Sequence, residues 1–197
     1  MSLVPGRDAT QPPAPGVKLT YDDFVLFPDD GKRHELINGE HHVTPSPNRK
    51  HQAIVWNLTG MLWNYLRAHP IGRAFSAPFD VVFSDLDIVE PDLLYVSNAR
   101  KNDVLTAQHV RGAPDLVVEV GPPGTRRREE RLKHRLYERH GVVEYWVVDA
   151  EFDLLKVYRL ADRRYVLSQE LSLVAGDVLT TPLLPGLSMP LELIFED

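Results

Sequence analysis

The chain has 197 residues, of which 43% are hydrophobic and 25% are charged, and its formal net charge at pH 7 is −6. This length is enough for one domain with its own core, and the composition is typical of a soluble globular protein. No run of eighteen apolar residues is present, which excludes a membrane-spanning helix. The lack of cysteine excludes disulfides, thiolate zinc sites and a cysteine nucleophile, and it makes a cytoplasmic location the expectation.

The first forty residues predict a leader, a short helix and a hairpin. Residues 1–17 are rich in proline and glycine, which predicts a disordered leader before a single domain over residues 18–197. Residues 20–23, Thr-Tyr-Asp-Asp, resemble a capping box and predict the start of a short helix. Residues 34–43 predict a β-hairpin that turns at Asn38-Gly39, because this dipeptide readily adopts the turn between two antiparallel strands.

Two long helices and a series of strands follow. Apolar residues recur every three or four positions from Arg49 to His69, which predicts an amphipathic helix. A second helix is predicted over Thr125–His140, with Thr125 as its N-cap, and a hairpin over Phe152–Gln169 that turns at Ala161-Asp162. Four further segments are rich in valine, leucine or aromatic residues and predict strands: Ala74–Phe83, Leu93–Val96, Leu116–Val120 and Val143–Val148. Together these elements predict an α/β or α+β fold with a mixed central β-sheet flanked by two long helices and additional β-hairpins.

Two acidic residues stand at the ends of apolar strands. Glu119 lies near the end of a strand whose residues predict burial on both faces, where an ionised carboxylate is unfavourable unless a cation compensates it. Asp92 follows Pro91 and opens another apolar strand. If these strands are neighbours, the carboxylates converge on one cation, and oxygen ligands of this kind suit Mg²⁺ or Mn²⁺. The alternatives are that Glu119 is exposed at the strand end and that Asp92 is a turn residue.

The second long helix carries a lysine on the same face as a glutamate and a tyrosine. Glu129, Lys133 and Tyr137 are four residues apart and therefore share one face of the helix. Since the helix follows the Glu119 strand directly, Lys133 is predicted to reach the carboxylates and to stabilise charge that develops on a phosphate. The alternative is a surface ion pair between Lys133 and Glu129.

A basic run at the start of the same helix is a candidate nucleic-acid patch. It begins with Arg126, Arg127 and Arg128 and extends to Arg135. Because neutralisation of phosphates supplies most non-specific affinity, contact between an acidic chain and nucleic acid needs a local patch of this kind. The alternative is a solvated helix face.

The histidines and tryptophans of the first half leave open questions. His41 and His42 are adjacent on a predicted strand and point to opposite faces, so a histidine metal site is not predicted. His51, near the start of the first long helix, is either a packing residue or a member of the site. Trp56 and Trp63 are seven residues apart on one helix face and are expected to make core or dimer contacts rather than to bind a base.

Several segments in a fixed order together resemble one protein family. They are His34–Glu40, His51-Gln52, Pro91-Asp92, Ala113–Val120, Lys133 with Tyr137, and Gly141–Asp149. The set resembles the Uma-two family (Uma2) of restriction-endonuclease-like proteins, which is part of the PD-(D/E)XK nuclease superfamily. The resemblance covers nearly the whole chain after the leader, and it implies a restriction-endonuclease-like fold and nuclease activity.

The resemblance also implies roles for individual residues. Asp92 and Glu119 correspond to the acidic metal ligands. The superfamily usually has its lysine two residues past the acid, where this chain has Gly121, so the role passes to Lys133 on the following helix. The family also has a serine soon after the acidic strand, and residues 121–125, Gly-Pro-Pro-Gly-Thr, lack it.

Three further residues are candidates for supporting this group. Glu35 resembles an early glutamate of the family and is expected to be either a further ligand or a neighbour of the ligands. Asp115 and Tyr137 are expected to lie around the ligands as well. The alternative for Glu35 is an exposed position on the hairpin.

The leading hypothesis is a homodimeric, Mg²⁺- or Mn²⁺-dependent endonuclease that hydrolyses phosphodiester bonds of DNA. The first alternative is a catalytically weak or inactive protein with a nuclease fold that serves as a binding or assembly module. The acidic net charge and the missing serine favour this alternative. The second alternative is metal-dependent hydrolysis of a small phosphoester.

Overall fold

The computed structural model of the protein describes residues 16–44, 46–121 and 127–196, and for residues 127–130 it describes the backbone alone. Most of the predicted leader and the predicted N-cap Thr125 lie outside these residues. Within them the helices are α1 Tyr21–Phe24, α2 Arg49–Ala68, α3 Lys101–Val104, α4 Arg127–His140 and α5 Leu191–Ile194. The first seven strands are β1 Arg33–Ile37, β2 Glu40–Thr44, β3 Gly72–Ser76, β4 Val81–Ser84, β5 Asp87–Val89, β6 Leu93–Ser97 and β7 Val110–Arg111. The others are β8 Leu116–Gly121, β9 Glu144–Asp149, β10 Leu154–Ala161, β11 Arg164–Ser172, β12 Val178–Leu179 and β13 Met189–Pro190.

A six-stranded mixed sheet forms the centre of the fold. Its strand order is β11-β10-β9-β8-β6-β3, and β8 and β9 are parallel, whereas the other neighbours are antiparallel. Parallel neighbours need a crossover connection, and α4 lies in the segment that joins β8 to β9. This arrangement confirms the predicted mixed central sheet with two long helices, α2 and α4.

A five-stranded sheet, in the order β2-β1-β5-β4-β7, packs beside the central one. The hairpin of β1 and β2 turns at Asn38-Gly39 as predicted, and both residues have positive φ, 55° and 74°. A Cβ on Gly39 would also lie 2.7 Å from the Cβ of Lys18, so glycine is required there for space as well as for conformation. The hairpin fixes the position of β1, which brings side chains to the site described below.

The two faces of the central sheet are covered by different elements. On one face α2 buries Ile54, Leu58 and Leu62 against alternate residues of β6, β8 and β9. On the other face α4 buries Leu136 and Tyr137 together with residues of the five-stranded sheet. Side chains along β8 alternate between these faces, so Val118 and Val120 point towards α2. Val117 and Glu119 therefore point towards α4 and the second sheet.

Two predicted boundaries are wrong. The segment Ala74–Phe83 is not one strand but is divided into β3 and β4, which belong to different sheets. Pro78 lies between them, and proline lacks the N–H that a central strand needs. The tail hairpin turns at Asp162-Arg163, one residue later than predicted, and these are the residues with positive φ.

In the part of the chain that the structure describes, no helix is both long and apolar enough to span a membrane.

Candidate active site

Asp92 and Glu119 come together at one end of the central sheet. In the antiparallel pairing of β6 with β8, Leu93 lies opposite Val118. Continuing this register by one residue places Asp92 opposite Glu119. Opposite residues in an antiparallel pair point to the same face of the sheet, here the face covered by α4. Both predicted acidic residues are therefore on the same face and at the same end of the central sheet.

Glu119 accepts hydrogen bonds from two side chains of α4. The ammonium of Lys133 lies 3.0 Å and 3.1 Å from its two carboxylate oxygens, and the hydroxyl of Tyr137 donates to Oε1 at 2.5 Å. Burial raises the pKa of Glu119 to about 7, with the negative charges of Asp92 and Glu35 adding to it, although Lys133 acts in the opposite direction. Glu119 is thus not a solvated residue at a strand end.

Lys133 lies between two glutamates. Its side chain is 7% exposed, and Nζ donates to Oε1 of Glu35 at 2.9 Å as well as to Glu119. Burial alone would lower its pKa, but the charges of Glu119 and Glu35 outweigh burial and raise it, so the amine is held as an ammonium. The alternative of a surface ion pair does not describe this residue, because an exposed side chain could not make these contacts.

Glu35 is fully buried and comes from the other sheet. Strand β1 carries it, and Oε1 accepts hydrogen bonds from Lys133 and from the backbone N–H of Glu90 at 3.0 Å. Its second oxygen, Oε2, is buried with no hydrogen-bond partner among the described residues. A buried carboxylate oxygen without a partner is costly, so this position is one where a further donor or a cation would be stabilising.

Asp92 is held by groups from three different elements. Its Oδ1 accepts a hydrogen bond from Arg33 at 2.9 Å, and its Oδ2 lies 2.8 Å from the backbone N–H of Val120 and 3.2 Å from Nε2 of His51. Burial acts to raise the pKa of Asp92, but the hydrogen bond from His51 and the charge of Arg33 outweigh it and hold the pKa at about 2. Asp92 is therefore ionised at neutral pH. His51, which the sequence left open, belongs to this cluster.

Sequence reasoning missed two members of the cluster. Arg33 bridges Asp92 and Glu90, with its Nε 2.9 Å from Oε1 of Glu90. Alternate residues of a strand share a face, so the position of Arg33 two residues before Glu35 was a signal that could have found it. Glu90 stands two residues before Asp92, and burial raises its pKa despite the opposite effect of Arg33.

Other predicted residues lie elsewhere or outside the description. Asp115 immediately precedes β8, whereas Glu119 is near the end of that strand. The carboxylate of Asp115 accepts from the backbone N–H of Ser97 at 2.7 Å and from Arg100. Asp115 therefore supports the opposite end of the sheet, and the expectation that it surrounds the ligands is wrong. Arg126 and the side chains of Arg127 and Arg128 lie outside the described parts of the chain, so the patch stays a prediction.

A cleft of about 1110 Å³ opens onto the cluster. Asp92, Glu119 and Lys133 line it, together with Arg33 and His51. Three lysines also border it: Lys32, Lys50 and Lys156. The exposed side chains of Arg131 and Arg135 are not among its walls. Of the described part of the basic run, Lys133 is thus the residue that lines the cleft.

The donors present suit a hard divalent cation in type. Within the described ranges no group of three histidine, aspartate or glutamate side chains is arranged to hold a metal ion. Mg²⁺, however, is commonly held by one or two carboxylates, with water and substrate phosphate as its other ligands. Asp92 and Glu119 can supply two carboxylates, and Oε2 of Glu35 is a buried acceptor that has no hydrogen-bond partner among the described residues. The residues therefore fit such an ion, provided that the carboxylates exchange some of their present hydrogen bonds.

Comparisons with known proteins agree with the fold and with the resemblance. One solved structure, described as "a putative nuclease belonging to DUF820 from Anabaena variabilis ATCC 29413", superimposes with a TM-score of 0.74 at 20% sequence identity. The match covers 90% of this chain and 97% of the other. Among curated proteins no match to the sequence was found. A family model described as "Putative restriction endonuclease", Uma2, matches residues 21–192, and the chain therefore belongs to the Uma2 family.

Proposed function

We propose that the protein is an endonuclease that hydrolyses phosphodiester bonds of DNA with the help of Mg²⁺ or Mn²⁺. The observation that carries this proposal is the meeting of Asp92, Glu119 and Lys133 in one cleft, in a chain of a nuclease-like family. Two carboxylates beside a charged lysine are the groups that metal-assisted hydrolysis of a phosphodiester needs. A bound divalent ion would polarise the phosphate and lower the pKa of a coordinated water.

The chain's own residues divide the remaining work. Asp92, ionised at neutral pH, and Glu119 would hold the ion. Lys133 is kept charged by its two glutamates, so it suits the stabilisation of negative charge on the phosphate rather than the removal of a proton. Tyr137 holds Glu119 through its hydroxyl and thereby orients the carboxylate. Arg33 and His51 orient Asp92 from the other side.

A specific observation also favours the second candidate, a nuclease-fold protein that binds but does not cleave. Four of the described side chains, those of Lys133, Tyr137, Arg33 and His51, already donate to the two proposed ligands, Asp92 and Glu119. The lysines that border the cleft are paired as well, for example Lys50 with Asp153 at 2.7 Å. A site whose charges are balanced internally has less drive to bind metal and phosphate. Small-phosphoester hydrolysis has no comparable observation in its favour.

A cleavage assay separates the two candidates. Supercoiled plasmid and single-stranded DNA are incubated with the protein and Mg²⁺, Mn²⁺ or a chelator. The endonuclease proposal expects cleavage that needs the metal and is lost in Asp92→Ala. The matched control is Asp115→Asn, which changes an aspartate on the same pair of strands at the far end and is expected to cleave at the wild-type rate.

Lys133 is tested by substitutions that keep or remove its charge. Lys133→Arg is expected to retain part of the activity, because the guanidinium differs from the ammonium in shape but not in charge, and Lys133→Ala is expected to have none. Mg²⁺ affinity, measured by calorimetry and compared at a pH at which Glu119 is ionised in both proteins, is expected to be unchanged or higher in Lys133→Ala, provided that the variant is folded. If the wild type and all of these variants bind DNA but do not cleave it, with or without metal, the result would support the binding module instead.

The predicted homodimer and the basic patch Arg126–Arg128 remain parts of this proposal. DNA is the proposed partner, and its approach would use local cations because the whole chain is acidic.

A further inference from the structure

The outer face of α2 carries two large aromatic side chains in solvent. Trp56 is 79% exposed and Trp63 is 56% exposed, and their separation of seven positions is almost two helical turns, so both lie on one stripe. Their helix is otherwise well buried along Ile54, Leu58 and Leu62. These tryptophans therefore do not belong to the core. Of the two contacts expected from the sequence, core and dimer, the dimer contact remains.

Gly60 lies between the two tryptophans on the same stripe. Glycine is unfavourable inside a helix, so its presence there calls for a reason. The chain itself gives none, because a Cβ at Gly60 would meet no atom within 4 Å and its backbone has ordinary helical conformation. A glycine on an exposed helix face does, however, allow the backbone of another helix to approach closely.

A two-fold axis through the middle of the stripe would bring the tryptophans of two copies together. The point midway between Trp56 and Trp63 lies between Thr59 and Gly60. When two copies of α2 pack antiparallel about this point, Trp56 of one copy faces the partner's Trp63, and Thr59 faces the partner's Gly60. A closed two-fold contact has this self-complementary form, in which the same surface serves both subunits.

Trp56 also borders a recess that could receive the partner's tryptophan. This recess has a volume of about 560 Å³, and its walls include Gln52, Ala53, Asn57 and Glu196. In the antiparallel register the partner's Trp63 lies beside it. Aromatic residues that insert into pockets near the centre of an interface supply much of the binding energy.

The exposed indole area supplies more than half of what a small dimer interface needs. A tryptophan side chain exposes up to about 250 Å², so the two exposed fractions correspond to roughly 340 Å² per chain. Two chains would thus bury on the order of 700 Å² of indole surface, more than half of the roughly 1,200 Å² at the lower limit of specific interfaces. The neighbouring exposed residues Gln52, Asn64 and Arg67 can provide the rest.

We infer that the Trp56–Gly60–Trp63 stripe of α2 is the interface of a two-fold homodimer, in which α2 packs antiparallel against its copy. The inference goes beyond the proposed function, which includes a homodimer but no interface, because it names the surface, and this surface is distinct from the cluster of Asp92, Glu119 and Lys133. It can hold or fail whether or not the protein cleaves DNA.

The test is sedimentation velocity of the full-length protein over a range of concentrations. The wild type is expected to be a dimer, and Gly60→Glu is expected to weaken dimerisation by at least a hundredfold, because two glutamates would meet at the two-fold axis. Glutamate favours helix more than glycine does, so loss of folding does not confound this variant. Trp56→Gln combined with Trp63→Gln is expected to give a monomer too.

Val174→Glu serves as the control, since Val174 is 95% exposed on the turn that follows β11 and is not part of the stripe, and the variant is expected to remain dimeric. Tryptophan emission of the wild type is expected to shift to the red on dilution, whereas that of Gly60→Glu is not. A wild type that is monomeric up to the order of 100 μM, where even weak specific complexes form, would overturn the inference. So would a Gly60→Glu protein that dimerises with unchanged affinity. A tryptophan emission that changes only when vesicles or DNA are added, and not on dilution, would overturn it as well.

Discussion

Replacement of Lys133 by methionine tests the electrostatics of the cluster most directly. Methionine keeps the unbranched stem that packs in the interior and removes the ammonium. The ammonium contacts Glu35 and both oxygens of Glu119 at 2.9 to 3.1 Å, and Glu35 is fully buried. Removing one partner of a buried ion pair costs about 3–5 kcal/mol, because the remaining charge is left without compensation. We expect a loss of this size in the free energy of unfolding at pH 8.5.

The loss should depend on pH in a definite direction. The pKa of Glu119 is about 7 in the folded protein against an ordinary 4.5, so in the wild type its ionisation makes stability fall as the pH rises from 4.5 to 7. Lys133 opposes this increase in the pKa, so Lys133→Met raises the pKa of Glu119 further. Below pH 7 both proteins hold the proton, and above it only the variant does. The difference in stability should therefore grow above pH 7, at about 1.4 kcal/mol per pH unit, to about 2 kcal/mol more at pH 8.5.

Urea denaturation followed by circular dichroism, at pH 6.0 and pH 8.5 without metal, measures both quantities. Lys50→Met is the matched control, because Lys50 is a half-exposed lysine at the same cleft that pairs with Asp153. Its stability should change by no more than about 0.5 kcal/mol. A cost below about 1 kcal/mol for Lys133→Met at pH 8.5, or an equal cost at both pH values, would show that the ammonium does not compensate these carboxylates.

Three other expectations can be measured with standard methods. Gly72→Ala should destabilise the protein by about 1–3 kcal/mol in thermal denaturation, because the added Cβ would clash with the carbonyl oxygen of Val96 on the neighbouring strand. Ser97→Ala, at the paired position, should change stability by at most about 0.5 kcal/mol. Mg²⁺ affinity measured by calorimetry should rise about tenfold per pH unit below pH 7 and level off above it, since Glu119 must lose its proton to bind the ion; a flat profile would contradict its role as a ligand. Reversing the charges of Arg127 and Arg128 to glutamate should weaken DNA binding and flatten its salt dependence, and unchanged binding would identify them as a solvated helix face.

The parts of the site that are close in the sequence or repeat a pattern could be predicted. Asp92 and Glu119 stand at the ends of apolar strands, and Lys133 lies on the helix that follows, so local patterns bring them together once the two strands are taken as neighbours. The two long helices could be predicted as well, the first from the helical period of its apolar residues and the second from its predicted N-cap Thr125 and the glycine that follows His140. The pairing of β6 with β8 itself was assumed rather than derived.

The remainder depends on contacts between segments far apart in the chain. Glu35 lies 98 residues before Lys133 in the sequence, and it reaches the site because a second sheet packs on the first. No local period predicts how two sheets dock, so a buried position for Glu35 and an exposed one had equal claims. The division of β3 from β4 had a visible signal in Pro78, which the abundance of apolar residues around it obscured.

The exposure of Trp56 and Trp63 could not be predicted from the sequence for a different reason. Their spacing shows that they share a helix face, but the spacing does not say which face of α2 meets the sheet. That choice is made by Ile54, Leu58 and Leu62, whose packing against β6 and β8 turns the tryptophans outwards. The amount of surface that a single chain leaves uncovered became visible only in three dimensions.

The position of Lys133 between two sheets makes the cluster a natural split site. Its hydrogen-bond partners Glu35 and Glu119 belong to the five-stranded and the six-stranded sheet, so neither part of the chain holds the complete arrangement alone. If the backbone is cut between β2 and α2, one fragment keeps Arg33 and Glu35, and the other keeps Asp92, Glu119 and Lys133. The second fragment would then carry the acidic residues but not the glutamate that fixes the lysine. Complementation between two such fragments would report, through recovered ion pairs, that the hairpin of β1 and β2 has reassembled onto the rest of the fold.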